Sequence, residues 1–180
     1  MTQKNNLNGI LLIDKPLMLS SNQAIQKIKK QFNIAKVGHT GTLDPLATGL
    51  LPVCIGRATR ISQFLINSDK TYSAIIKLGT KTSTGDKEGE IIERRSFDAT
   101  TDPLDIDQVL QSFVGEQKQI PPMYSALKHN GERLYKLAKK GINVSRKSRS
   151  IKIYSINLIS VNKNKLEVII ECSKGTYIRT

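Results

Sequence analysis

The sequence predicts an α+β domain. Segments with strand period and segments with helix period are interspersed along it rather than grouped. Its 180 residues suffice for a core without disulfides or a structural metal. No apolar run approaches the roughly 18 residues needed to span a bilayer.

The elements follow in order. Gly9 to Asp14 (GILLID) is a short apolar run ending at a turn and reads as a strand. Ser20-Ser21-Asn22-Gln23 has the form of a capping box opening a helix. Ala24, Ile25, Ile28 and Phe32 follow at helical spacing, while Lys27, Lys29 and Lys30 face elsewhere. Lys36 to Gly49, with three glycines, three threonines and a proline, reads as a structured loop. Ala58 to Ile66 reads as a short helix. Tyr72, Ala74, Ile76 and Leu78 alternate with Ser73, Ile75 and Lys77, which is strand period. Asp102-Pro103 opens a helix whose apolar stripe is Ile106, Val109, Leu110 and Phe113. Glu132 to Lys140 is a basic helix stopped by Gly141. Ile151 to Ser160 and Lys165 to Cys172 form a hairpin through Asn162-Lys163-Asn164, with Leu166, Val168, Ile170 and Cys172 on one face.

Composition narrows the function classes. The polar N-terminus, Met1 to Asn8, lacks the apolar region of a signal peptide, so a cytoplasmic protein is expected. Cys54 and Cys172 are far apart and lie among apolar residues, as small buried hydrophobes do. With two histidines and no Cys pair, no metal site is expected. Lys and Arg number 28 against 15 Asp and Glu, a net charge of +13. The charge is segregated: residues 115–152 carry ten bases and two acids, residues 86–107 eight acids and three bases. A segregated basic surface suggests a polyanionic partner, most simply nucleic acid. The basic stretch Lys118–Lys152 opens on Ile120-Pro121-Pro122-Met123-Tyr124. It reads as an arm suited to a phosphate backbone, or as an ordinary charged surface helix.

The segment richest in chemical signals is Gly38 to Gly49, GHTGTLDPLATG. Pro45 pushes Asp44 toward extended backbone, glycines 38, 41 and 49 permit turns, and Leu43, Leu46, Ala47, Leu50 and Leu51 surround the acid with apolar bulk. Asp44 reads either as a turn or cap residue or as a carboxylate fixed for chemistry.

In its wider context, GHTGTLDPLATGLLPVCIGRATR resembles the catalytic motif of the TruB family of tRNA pseudouridine synthases. ILLIDKP at 10–16, DKTYSA at 69–74, TSTGDKEG at 82–89, PPMYSALK at 121–128 and KGTYIRT at 174–180 resemble the same family, in order. The resemblance implies a pseudouridine synthase fold, a mixed, mainly antiparallel sheet with flanking helices and an inserted basic thumb arm at about 118–150. It implies a catalytic domain over 1–180, incomplete at its C-terminus and without the family's C-terminal RNA-binding domain. The implied reaction is isomerisation of the uridine conventionally numbered 55 in the T-arm loop of tRNA, by base flipping, glycosidic cleavage and carbon–carbon re-attachment. No cofactor, metal, membrane or obligate protein partner is implied, and a monomer is expected.

Residue by residue, Asp44 resembles the family's catalytic aspartate. Tyr72 resembles the tyrosine that stacks on the flipped base, although a period-2 strand residue equally suits the core. His39 resembles a histidine that holds the flipped loop, and Tyr177 a substrate-pocket tyrosine. Arg179 resembles the arginine that pairs with the catalytic aspartate and keeps it ionised. Lys15, with Pro16, matches a motif beside the site and is expected to support the fold or the loop. Met18 stands where the family usually has glycine, so a different local turn is expected. The alternative function is a non-catalytic tRNA-binding or tRNA-folding protein on the same scaffold.

Overall fold

The computed structural model describes residues 4–97 and 103–180, in two compact units, Met1–Ser68 and Asp69–Thr180.

The first unit holds a three-stranded antiparallel sheet in the order β1 (Gly9–Lys15), β3 (Gly49–Ile55), β2 (Val37–His39). Helix α1 (Ser21–Gln31) packs on it. Ser20 caps α1, and the predicted capping box with Gln23 is complete. The helix ends where Asn33 takes a left-handed φ of 48°, which leaves Phe32 as an exposed C-cap rather than part of the apolar stripe. Ala24, Ile25, Ile34, Leu51, Val53 and Ile55 form the core.

Several expectations change here. The stretch expected to be loop contains β2, and Leu50 and Leu51, read as apolar bulk around Asp44, belong to β3, the central strand. Strand alternation therefore buries Leu51 and leaves Leu50 exposed. Of the three loop glycines only Gly49 has positive φ, +119°; Gly38 lies in β2 with ordinary backbone. The helix expected at 58–66 divides into a 3-10 turn, Gly56–Arg60, and α2 (Ser62–Ile66).

The second unit holds a four-stranded antiparallel sheet in the order β4 (Lys70–Lys77), β11 (Lys165–Cys172), β10 (Arg149–Asn162), β7 (Gly115–Gln119). A small pair, β5 (Thr80–Thr82) and β6 (Ile91–Arg94), stands between β4 and α3 (Pro103–Gln111) in sequence. The expected cap Asp102 lies outside the described residues. Ile106 and Leu110 of α3 pack on Ile156, Leu166, Val168, Ile170 and Cys172. Val109 and Phe113, expected in the same stripe, are exposed and instead line a cavity of about 850 Å³ with Ile76, Leu78 and Phe97. Both cysteines are buried and unpaired.

The segment between β7 and β10 is the basic one. Gln119 and Arg149 are register partners, so both its ends are fixed side by side. Within it lie a two-residue ladder, β8 (Lys128–His129) with β9 (Glu132–Arg133), and α4 (Leu134–Lys139), anchored by buried Leu134 and Leu137. Lys128, Arg133, Lys136, Lys139, Lys140 and Lys147 remain exposed.

Candidate active site

Asp44 is half-buried in the loop between β2 and β3, and the backbone on both sides of it is held. Before it, Ser21 accepts from the Leu43 N–H at 2.9 Å and donates to the Leu43 carbonyl at 3.2 Å. After it, the Met18 N–H donates to the Pro45 carbonyl at 2.8 Å, and the Ala47 N–H closes a turn on the Asp44 carbonyl at 3.0 Å. The loop's two ends are also tied: Thr40 N–H to the Pro52 carbonyl at 3.2 Å, and Gly49 N–H to Asp14 Oδ1 at 2.9 Å. Backbone tied at residues before and after Asp44 fixes the point from which its side chain departs.

Lys15 ends β1 fully buried. Its Nζ donates to the carbonyls of Pro16 at 2.9 Å and Leu19 at 2.6 Å, closing the turn 16–19 around the ammonium. Burial lowers its pKa below the ordinary lysine value, and the nearby Asp44 carboxylate opposes that shift. That turn carries Met18 at a φ of +66°, a left-handed backbone in which a side chain is strained and glycine is not. The turn takes this left-handed form with Met18 in place, held by Lys15 inside and by the Met18–Pro45 hydrogen bond outside.

His39 closes β2 and leads into the same loop, and its buried Nδ1 has no hydrogen-bond partner. An unsatisfied buried imidazole nitrogen is uncommon and costs stability.

In the second unit, Tyr72 lies on β4 opposite Ile170, half-buried, with its ring packed against the core cluster. Tyr177 and Arg179 follow β11. Arg179 is half-buried; its Nη1 donates to the Thr84 carbonyl at 3.2 Å and to Asp86 Oδ2 at 3.4 Å, and its Nη2 to the Tyr124 carbonyl at 2.9 Å. Asp86 is preset for this. Its Oδ1 accepts from Thr84 Oγ1 at 2.6 Å and the Glu88 N–H at 3.0 Å, leaving Oδ2 for the guanidinium. Gly85 is the close approach: at φ +75° its added Cβ would stand 2.4 Å from the Arg179 carbonyl oxygen.

The structure thus places Lys15, Asp44 and His39 in the first unit and Tyr72, Tyr177 and Arg179 in the second. Three residues that hold these side chains or their backbone, Ser21 in the first unit and Asp86 and Gln119 in the second, have no such role on sequence reasoning. Ser21 reads there as part of the helix cap, although Ser20 is the capping residue. Asp86 lies in a family-like motif with no role of its own. Gln119, at the arm's root, exchanges two hydrogen bonds with Tyr177. Thr84-Gly85-Asp86, a threonine-initiated turn that leads into an Asx-turn from Asp86 to Glu88, is the signal that could have found Asp86; none exists for Gln119.

Among the described residues no group of His, Cys, Asp or Glu could hold a metal ion, and no helix is long and apolar enough to cross a membrane.

A model of the TruB family pseudouridylate synthase (N terminal domain) matches residues 29–178. tRNA pseudouridine synthase B of Yersinia pestis (strain Pestoides F) is 54% identical over 175 residues, covering 97% of this chain and 53% of that protein. The protein of the same name from Methylobacillus flagellatus is 50% identical over 177 residues, covering 98% of this chain and 58% of that protein. The chain spans about half the length of the curated relatives it matches. A chain from the crystal structure of a Cbf5-Nop10-Gar1 complex superposes with a TM-score of 0.68 at 30% identity, over 94% of this chain and 41% of that one.

Proposed function

The chain belongs to the TruB family of pseudouridylate synthases, and from that premise we propose that it converts uridine to pseudouridine in the T-arm loop of tRNA. The observation that carries this reading is the Asp44 loop. Hydrogen bonds hold its backbone at Leu43, Asp44 and Pro45, which is the rigidity a reacting carboxylate needs.

The reaction breaks the bond from ribose C1′ to N1 and makes one from C1′ to C5. The C5 hydrogen leaves as a proton and N1 gains one, so atoms and electrons balance without oxidant or co-substrate. Asp44 supplies the carboxylate, by attack on the ribose, attack on the base, or elimination to a glycal; all three routes require it ionised. Service of Arg179 to Asp44, keeping it charged, is part of the proposal and rests on the resemblance. Asp86 in turn positions the Arg179 guanidinium.

A stacked uridine must leave the loop to react, at a cost of a few kcal/mol. Stacking on an aromatic ring returns about 1–3 kcal/mol. Tyr72 is the proposed platform, with Tyr177 lining the base pocket and His39 holding the displaced nucleotides. Tyr72 is half-buried against the core cluster, so part of the side chain stays accessible, as a platform requires. The exposed lysines of the arm are the proposed contacts to the tRNA backbone.

The test is modification mapping of an unmodified tRNA transcript incubated with the protein. Pseudouridine at the conserved T-arm uridine is the expected result. Tight binding with no pseudouridine would favour the tRNA-binding alternative, and modification elsewhere would overturn the assigned position.

A further inference from the structure

The root of the arm carries a hydrogen-bond pattern that the fold alone does not require. Gln119 is the last residue of β7, and the chain leaves the sheet there through Ile120 and buried Pro121. Its side-chain amide donates to the Tyr177 carbonyl at 2.9 Å and accepts from the Tyr177 N–H at 2.9 Å. One side chain thereby satisfies both backbone groups of one residue, as a neighbouring strand would. Two residues later the Arg179 guanidinium returns to the arm, donating to the Tyr124 carbonyl at 2.9 Å. The result is a closed ring, from Gln119 to Tyr177, along the chain to Arg179, across to Tyr124, and back through the arm's first turn. Arg146, on the arm's returning limb, donates to the Pro121 carbonyl at 3.2 Å and braces that turn from the other side.

A ring of this kind transmits position. The Arg179 guanidinium is shared between Asp86 and Thr84 on one side and the arm's Tyr124 on the other. If the arm's root shifts, either Tyr124 leaves Arg179 or Arg179 moves. The Gln119 amide sets the backbone of Tyr177, and therefore the point from which Arg179 departs.

We propose that Gln119 is a positioning residue that couples the seating of the basic arm to the placement of Arg179. A seated arm root then holds the guanidinium in place for the reaction, whatever the outer lysines contact. This inference rests on the function proposed above.

The experiment measures single-turnover pseudouridine formation at saturating unmodified tRNA, together with tRNA affinity and melting temperature. The proteins are the wild type, Gln119→Leu and Gln119→Glu. Gln119→Leu removes both hydrogen bonds and should lower the saturated rate about tenfold to a hundredfold, the scale of a small misplacement of a reacting group. Affinity should stay within about threefold, since backbone contacts supply it. Gln119→Glu is close to isosteric, and only its protonated form can both donate to the Tyr177 carbonyl and accept from its N–H. Its rate relative to the wild type at the same pH should therefore recover as the pH is lowered through the titration of the introduced carboxyl. A purely structural glutamine would lower the melting temperature and leave the saturated rate and its pH profile unchanged.

Wild-type rates and pH profiles in both variants would overturn the proposal, as would a loss confined to melting temperature. Should Gln119→Leu not fold, Gln119→Glu carries the same test through its pH profile. A wild-type protein that forms no pseudouridine would overturn the function itself, an outcome distinct from an active wild type with unaffected variants.

Discussion

The loop around Asp44 and the basic arm are both excursions from a sheet, and they are built in opposite ways. The loop has its backbone tied to Ser21, Met18, Pro52 and Asp14. The arm is braced at its root by Gln119 and Arg146 and anchored by Leu134 and Leu137, and its outer surface is exposed lysine and arginine. A carboxylate that must meet one atom needs fixed backbone; a surface that must follow a phosphate chain needs charge and reach. The comparison separates two effects of mutation. Changes in the loop should alter turnover, and changes on the outer arm should alter affinity.

The largest expected effect follows from the loop. Asp44→Asn should cut pseudouridine formation by roughly a thousandfold or more, as loss of a reacting group does. Binding of tRNA should stay within a few-fold, measured by filter retention beside single-turnover assays. Substantial turnover by the variant would remove Asp44 from its role. Next, Ser21→Ala leaves the Leu43 N–H and carbonyl without their partner, and should cost about 1–3 kcal/mol in denaturant unfolding. Its turnover should fall as well, because the backbone before Asp44 loses its anchor.

The arm predicts a different signature. Changing Lys136, Lys139 and Lys140 together to Gln should reduce the slope of log affinity against log salt by up to roughly 3, about 0.9 for each duplex phosphate no longer neutralised. An unchanged slope would show that these lysines do not meet the backbone. A smaller effect is expected at Met18. Replacing it with glycine relieves about 1–2 kcal/mol of left-handed strain. The added freedom of the unfolded chain offsets about 0.5–1 kcal/mol of that gain. Met18→Gly should therefore raise stability by up to about 1.5 kcal/mol in chemical denaturation, and a decrease would show that the strain is absorbed elsewhere.

The smallest effect is a pH dependence. Burial depresses the Lys15 pKa in the folded protein, so the charged form is the disfavoured one there. Between the folded value and the ordinary lysine value the unfolded chain binds the extra proton, and stability therefore rises with pH across that window. Lys15→Met should remove this rise in unfolding curves collected toward alkaline pH.

What is legible in the sequence is set by the range of the forces involved. α1, β4 and the β10–β11 hairpin each repeat an apolar period within a dozen residues, and β1 is an apolar run closed by a turn, so a local reading finds them. β3 escapes because its apolar run, Leu50 to Ile55, is interrupted by Pro52, which argues against a central strand. Here Pro52 has no N–H to give, yet its carbonyl receives Thr40. Asp44 itself is visible through its motif. Its support is not: Ser21 acts 22 residues away, Gln119 acts 58 residues from Tyr177, and Asp86 acts 93 from Arg179. No periodicity records a hydrogen bond closed at that distance.

The division between the fixed loop and the reaching arm is tested most directly by single-turnover rates at saturating tRNA for the triple lysine variant beside Ser21→Ala. With affinity made irrelevant by saturation, the arm variant should recover the wild-type rate and Ser21→Ala should remain slow. A triple variant that stays slow at saturation, or a Ser21→Ala protein that reaches the wild-type rate, would contradict the account.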